Sequence, residues 1–384
     1  MLAPTQHLKI SLMTNGMIVS EIARAILMGE DGSRPLTLAD YASTSGIAME
    51  LEGQIWVNAP IVDFNPNFVD APPHRLEWRN GDFFVCTEEA EVKAYPLPVP
   101  AYSNERDEDG TAYTTYAITH TDRARISPVQ GCTFGCRFCD LAFKRRYELE
   151  PVQGLIGSVR RALRDETLPA RHILISGGVP REEDWPKLYE VYEAIPSEFP
   201  EIPVDVMMVP VPGKLDIRRL HAAGIHGLSV NLELFDRKIA QRAMRDKSQL
   251  SLGDFLDFVS EAVDVFGPGR VRSLLMVGLE SVESTLSGVK VLAERGCEPV
   301  LSPFRPDPAT PMRDAKPPST DELEEVYLRA VDLVAQYGVK LGPRCIPCMH
   351  NTLTFPDGSD YYYTTGENPK GKSTAEKTEP LSQT

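Results

Sequence analysis

From about residue 124 the chain alternates short apolar runs with amphipathic stretches, and nothing else in the sequence limits the fold so tightly. The apolar runs are ARISPV (124–129), HILISGG (172–178), VDVMMV (204–209), GLSVNLE (227–233), VRSLLMVGLE (271–280) and EPVLSPF (298–304). Between them lie LIGSVRRALRD, WPKLYEVYEAI, LDIRRLHAAG, LGDFLDFVSEAVDVF and STLSGVKVLAERG, each with apolar residues at helical spacing. Such alternation implies parallel strands joined by right-handed crossovers. Roughly 180 residues are too few for eight strand–helix units but hold six. The expected fold is α/β, a partial (β/α)6 TIM-like barrel over residues 121–312. On such folds active sites gather at the carboxyl ends of the strands. Directly after the first run stands GCTFGCRFCD (131–140), with Cys132, Cys136 and Cys139.

The flanks read differently. Residues 1–120 form an N-terminal α+β extension of unknown role. MIVSEIARAILM (17–28) has helical spacing, LTLADYASTSG (36–46) reads as a second short helix, and RLEWRNGDFFVCT carries the hairpin pair Asn80-Gly81. The acidic run SNERDEDG (103–110) has no apolar face and marks a solvated boundary. After the barrel, residues 313–365 form a C-terminal extension with the helix STDELEEVYLRAVDLVAQYG and a CxxC pair. Residues 366–384 hold almost no apolar side chain and read as a disordered tail.

Four uses of the clustered cysteines compete. A net charge of −15 argues against a nucleic-acid partner. The N-terminus lacks the features of a signal peptide, and no run approaches ~18 uninterrupted apolar residues, so neither export nor a membrane partner is expected. Seven cysteines, an odd number, then point to a reducing cytoplasm and to thiols as ligands. A disulfide uses two of the three, a zinc site wants four ligands, and a CxxC redox pair leaves Cys132 unexplained. An iron–sulfur cluster uses all three and keeps one iron open.

The CxxxCxΦC pattern, with Phe138 as the aromatic position, resembles the radical S-adenosylmethionine (SAM) superfamily. The resemblance implies a [4Fe–4S] cluster on Cys132, Cys136 and Cys139, with SAM on the open iron and Phe138 beside the adenine. It also implies reductive cleavage of SAM to a 5′-deoxyadenosyl radical that abstracts a substrate hydrogen. Gly177 and Gly178 in ISGG match the family's glycine pair facing the SAM amino group, although Val179 replaces the usual acidic residue. SVNLELFD, with Asn231 and Glu233, resembles the ribose-holding segment of biotin synthase. LLMVGLES, with Gly278 and Glu280, resembles the fifth-strand glycine motif, and SPFRPDPATPM resembles the sixth-strand segment of the biotin-synthase-like branch. An electron donor such as flavodoxin or ferredoxin is the implied partner. For the SAM carboxylate, Arg245 and Lys247 are the candidate cations, each equally readable as a solvated charge.

The second cysteine pair is less determined. Cys345 and Cys348, with His350 nearby, can hold zinc or an auxiliary iron–sulfur cluster, with Cys297 or Cys86 as a fourth ligand. They can equally be apolar-like residues in a proline-stiffened turn. Lys144, Arg145 and Arg146, beside Tyr147, either face an anionic substrate or form a solvated helical turn. Arg305 has the better claim to the pocket, and Asp205 and the methionines after it line the third strand end or fill the core. His172, His221 and His226 read as structural or surface residues. The expectation is a radical SAM enzyme acting on a small or medium-sized substrate, by sulfur or carbon insertion or by rearrangement. A non-catalytic iron–sulfur scaffold or electron carrier is the alternative.

Overall fold

A computed structural model describes residues 2–29, 32, 34–36 and 46–358. The expected helix at 36–46 and the expected disordered tail at 366–384 lie outside the described residues, apart from Leu36 and Gly46. The N-terminal layer comprises α1 (Pro4–Asn15), β1 (Ile18–Val19), α2 (Glu21–Met28), β2 (Ile47–Leu51), β3 (Ile55–Ala59), β4 (Arg75–Arg79), β5 (Asp82–Cys86) and β6 (Glu91–Pro96). Its six strands form one sheet in the order β1-β4-β5-β6-β2-β3. Asn80 (φ 54°) and Gly81 (φ 89°) both take the left-handed conformation that a two-residue type I′ hairpin requires between β4 and β5.

The barrel begins with β7 (Ala117–His120) and β8 (Arg123–Ile126), followed by the short pair β9 (Val129–Gln130) and β10 (Glu148–Leu149) around α3 (Leu141–Lys144). Then come α4 (Val152–Leu163), β11 (His172–Ile175), α5 (Trp185–Glu198), β12 (Val204–Met207), α6 (Ile217–Ala222) and β13 (Gly227–Ser229). It finishes with α7 (Arg237–Ala243), α8 (Leu252–Phe266), β14 (Val271–Val277), α9 (Val282–Ala293) and β15 (Glu298–Pro303), and α10 (Thr320–Ala335) follows. Strands β8-β11-β12-β13-β14-β15 lie side by side in sequence order and all parallel, while β7 pairs antiparallel with β8 at the edge. Six parallel strands with intervening helices make the expected partial (β/α)6 barrel. The sheet starts upstream of the expected boundary at 120, because Ala117–His120 is its edge strand.

Strand β14 shows how the barrel is filled. Val271, Ser273, Leu275 and Val277 are buried, while Arg272, Leu274 and Met276 alternate with them and line an internal cavity. The helices start where loop side chains supply caps: Asp216 accepts from Arg219 N–H, Asp236 from Lys238 and Ile239 N–H, and Ser281 from Ser284 N–H. Beyond α10 the chain returns along the open edge of β15, where Gly342 N–H donates to Pro299 O and Leu353 N–H to Leu301 O, both at 2.8 Å. Helix α1 holds this return from behind: Lys9 Nζ, fully buried, donates to Met349 O (2.8 Å) and Thr354 O (2.7 Å). The acidic run at 103–110 is not purely solvated, since Glu105 pairs with Arg161 on α4.

Candidate active site

The cysteine loop leaves the carboxyl end of β8 through the short strand β9. Gly178, at the end of β11, gives it room. A Cβ there would lie 1.7 Å from Gly131 O and 2.7 Å from Cys132 Cα, so any side chain would push the loop away. Val179 N–H (3.2 Å) and Phe134 N–H (3.3 Å) both donate to Cys132 Sγ. On the other flank Gly135 N–H donates to Asp246 Oδ2 (3.0 Å) and Arg137 N–H to Ala243 O (2.8 Å). The loop is thus clamped between the β11 end and the segment after α7. The glycine pair expected to meet the SAM amino group has this second, packing reason to be glycine.

All three thiols are free of disulfides. Burial pushes Cys136 up to about 11 and Cys139 up to about 12, so a nearby cation is needed to ionise them at neutral pH. Among the described residues, these thiols belong to no tight group of four metal ligands. Three free thiols on one clamped loop, one of them taking two N–H···S bonds, fit a cluster that keeps one iron open.

Beside the loop, Glu233 takes a left-handed conformation (φ 64°), uncommon for a non-glycine residue and a mark of local strain. The neighbouring strand holds it there: Glu233 N–H donates to Leu274 O and Met276 N–H to Glu233 O, both at 2.8 Å. Its carboxylate accepts from Lys247 Nζ (3.1 Å), and both side chains are nearly enclosed. Lys247 is also a positive charge felt by Cys132 and Cys136. Arg245 is exposed to solvent, so Lys247 is the cation that the fold carries to the cysteines. Asn231 Oδ1 accepts from Leu274 N–H (3.2 Å) and Ser229 Oγ (2.9 Å), which fixes the amide at the strand end.

Gly278 and Glu280 support this ring instead of entering it. Gly278 (φ 104°) has Pro318 where a Cβ would go, at 2.7 Å. Glu280 accepts from Phe235 N–H (3.1 Å), Asp236 N–H (2.7 Å) and Ser284 Oγ (2.9 Å), locking the turn after Glu233. Phe138 is buried with Leu234, Met244 and Phe304 under the loop.

A cavity of about 300 Å³ runs down the barrel from Phe138, Cys139 and Asp140 at the carboxyl end to Cys348 and His350 at the amino end. Arg123, Arg125, Arg272 and Arg305 line it, against the carboxylates of Asp140 and Glu233. Arg305 reaches the wall but spends its guanidinium elsewhere, donating to Met13 O (3.1 Å), Asn58 O (3.2 Å) and Asn351 Oδ1 (3.3 Å). It fastens the N-terminal layer to the sixth strand. Asp205 lies low in β12, away from the strand end. Burial alone would raise its pKa, but Arg272 and His226 hold it well below the usual carboxylate range. Lys144, Arg145 and Arg146 are exposed, and Tyr147 turns to Asp184.

The expected partners of the second cysteine pair are corrected by the fold. His350 stacks on His120 (centroids 4.9 Å apart) and shares Nδ1 with Pro347 O; Cys297 is buried under β15, and Cys86 lies in the N-terminal sheet. Instead Asp122 and His172, at the amino ends of β8 and β11, meet Cys345 and Cys348, with all four side chains buried. His172, expected to be structural or superficial, stands at the centre of this group. Their ligand atoms lie within 4.8 Å of one another. No local pattern joins these residues, which come from three separate segments.

The family model described as "Radical SAM superfamily" matches residues 126–298. The chain is 26% identical over 144 residues to bacteriochlorophyllide c C-7(1)-hydroxylase of Chlorobaculum limnaeum, a match covering 37% of this chain and 36% of that protein. The chain therefore spans about a third of the length of that curated relative. Among solved structures it is similar to the FeFe-hydrogenase maturase HydG from Carboxydothermus hydrogenoformans (17% identity, 58% of this chain and 54% of that one, TM-score 0.43). It is also similar to a radical SAM methyltransferase from Sphaerobacter thermophilus (15% identity, 79% of this chain and 83% of that one, TM-score 0.45).

Proposed function

With residues 126–298 belonging to the radical SAM superfamily, we propose that the chain is an enzyme that cleaves SAM reductively and abstracts hydrogen from an anionic small or medium-sized substrate held in the barrel. Cys132, Cys136 and Cys139 would hold the [4Fe–4S] cluster. That group, when bound, supplies the electron that converts SAM to methionine and the 5′-deoxyadenosyl radical.

The protein's own residues divide the remaining work. Gly178 and Asp246 fix the loop that carries the thiols. Lys247, paired with Glu233 beside the cysteine loop, would offer its charge to the SAM carboxylate, and Glu233 would offer its carboxylate to the ribose hydroxyls. Phe138 gives the adenine an apolar neighbour. The cavity supplies the rest, since enclosure keeps water from a reactive intermediate. Arg272 is paired with Asp205 and Arg305 is spent on the N-terminal layer, so Arg123 and Arg125 are the lining cations that support an anionic substrate, a carboxylate or a phosphate.

The single observation that carries this reading is the continuous cavity opening beside Cys139. A non-catalytic scaffold or electron carrier has no use for a 300 Å³ chamber beside its cluster. The choice of the biotin-synthase-like branch rests only on the segments around Asn231–Glu233 and Ser302–Met312. Flavodoxin or ferredoxin remains the proposed electron donor. For location, no helix among the described residues is long and apolar enough to cross a membrane. The test is anaerobic reconstitution with iron and sulfide, then reduction in the presence of SAM. 5′-Deoxyadenosine should form with the native chain and not with Cys136→Ala. Equal product from the variant overturns the assignment.

A further inference from the structure

We propose that Asp122, His172, Cys345 and Cys348 form a closed, four-coordinate zinc site that seals the amino end of the barrel. The distances carry the argument. His172 Nε2 lies 3.3 Å from Asp122 Oδ1 and 3.4 Å from Cys348 Sγ; Cys345 Sγ lies 3.6 Å from both Asp122 Oδ1 and His172 Nε2. Zinc bonds of about 2.0–2.3 Å in a tetrahedron place neighbouring ligand atoms about 3.3–3.8 Å apart. Four of the six ligand-atom separations thus match those of a zinc tetrahedron, and all six are within 4.8 Å. Ligands of a multi-iron cluster attach to different irons and stand farther apart, so this set is too tight for an auxiliary cluster. Two thiolates, one imidazole and one carboxylate are also the mixture of donors that zinc accepts.

The surroundings suit a dication. Two thiolates and a carboxylate around Zn²⁺ leave one negative charge, and Arg123 lies close enough to bear on Cys348. A charged neighbour of this kind is the usual support for a buried metal centre. Four protein ligands leave no open position for water, which marks the site as structural and not catalytic.

Its place in the fold gives it a task. A six-stranded barrel leaves a gap between its first and last strands. The return segment bonds to β15 at Gly342 and again at Leu353, and between these two points it reaches across to Asp122 and His172 at β8 and β11. Cys348, His350 and Thr352 from this segment line the floor of the cavity. The metal would tie the floor to the opposite wall and keep solvent out from below.

Zinc and iron content per chain test the site without any need for activity. The reconstituted native chain should hold about one zinc and about four irons. In His172→Ala and Cys348→Ser, zinc should fall at least about tenfold with iron unchanged, and Cys136→Ala should do the reverse. If these variants fail to fold, Co²⁺ exchange into the native chain still decides. The expected result is one equivalent of tetrahedral cobalt with a thiolate-to-metal absorption band, formed as zinc is released. Two results overturn the proposal. One is a native chain with background zinc and no cobalt–thiolate band. The other is more than about four irons in the native chain, falling to four in Cys348→Ser.

Discussion

The two cysteine constellations sit at opposite ends of one barrel and are built in opposite ways. At the carboxyl end, three thiols come from a single ten-residue loop and are shared out over a surface that still has access to the cavity. At the amino end, two thiols meet an aspartate and a histidine from the neighbouring strands β8 and β11, far away in sequence, all buried and within 4.8 Å. The first is spacing written along the chain; the second is spacing created by folding. As proposed, a cluster on the first would keep a coordination position open beside a chamber, and a zinc ion on the second would have none. The difference separates chemistry from closure, in keeping with the usual division between the two faces of such barrels.

The largest expected effect breaks or keeps that separation directly. Cys136→Ala should abolish iron loading and 5′-deoxyadenosine formation while the far-ultraviolet circular dichroism and the thermal midpoint stay near native. Cys345→Ser should lower the thermal midpoint by several degrees, since losing one ligand of a buried metal removes a cross-link between β15 and β8. If both substitutions harmed folding equally, the two ends would not be divided into chemical and structural roles.

The same contrast explains what could be read before the fold was known. The strand–helix alternation and the loop of Cys132, Cys136 and Cys139 are local patterns, and both appear in the structure where they were expected. Helix α1 was not anticipated, because residues 8–14 are buried on every side and show no amphipathic stripe. Its burial includes Lys9, whose charge in a sequence reads as solvent exposure. In sequence, Cys345 and Cys348 point to His350, whereas the fold brings Asp122 and His172 to them. Proximity in sequence favoured His350, but the register that sets His172 opposite Arg123 carries the imidazole to the metal-binding group. Arg305 was expected to face the substrate, and only the docking of the N-terminal layer shows where its hydrogen bonds go. The sequence offers Lys247 and Arg245 alike, and which of two residues so close in sequence turns inward is a property of the packed turn.

A second prediction sharpens the account of the carboxyl end through two glycines of one site. Gly178→Ala places a methyl group 1.7 Å from Gly131 O, which no side-chain movement can relieve. The loop must shift, and iron loading should drop by about tenfold or more. Gly135→Ala meets nothing nearer than Asp246 Oδ2 at 3.8 Å and should load iron normally. Equal loading by the two variants would show that the β11 end does not position the loop.

A smaller effect concerns SAM. Glu233→Gln keeps the shape but weakens the bond to Lys247 and any charge-assisted bond to a ribose hydroxyl. Losing one such bond costs about 1.5–3 kcal/mol, roughly ten- to hundredfold in affinity. Equilibrium binding of SAM to the reconstituted protein should weaken by that factor, with iron content unchanged. A Kd within about twofold of native would remove Glu233 from the SAM site.

The smallest effect is a pH dependence that distinguishes the two ends by where histidines lie. His172 and His226 sit at the amino ends of parallel strands, His120 ends the antiparallel β7 beside them and His350 is in the return segment, while the loops at the carboxyl ends of the parallel strands hold none. Behind the return segment, His74 is buried against α1, the helix whose Lys9 grips Met349 and Thr354. Its Nε2 shares a 2.8 Å hydrogen bond with Ser11 Oγ, which also accepts from Asn15 Nδ2. Its Nδ1 is buried without a hydrogen-bond partner. Burial, with a smaller contribution from His7, therefore pushes His74 down from 6.5 to about 4. Between those values the unfolded chain binds the proton and the folded chain does not, so this residue's contribution to stability is complete above pH 6.5 and shrinks as the pH falls. From pH 6.5 to 5 the loss should be on the order of 1–2 kcal/mol. His74→Gln, which cannot take up the proton, should flatten that part of a denaturant-midpoint profile, whatever it does to stability at neutral pH. An unchanged slope in the variant would assign the acid sensitivity to the histidines beneath the cavity and leave α1 as a passive brace.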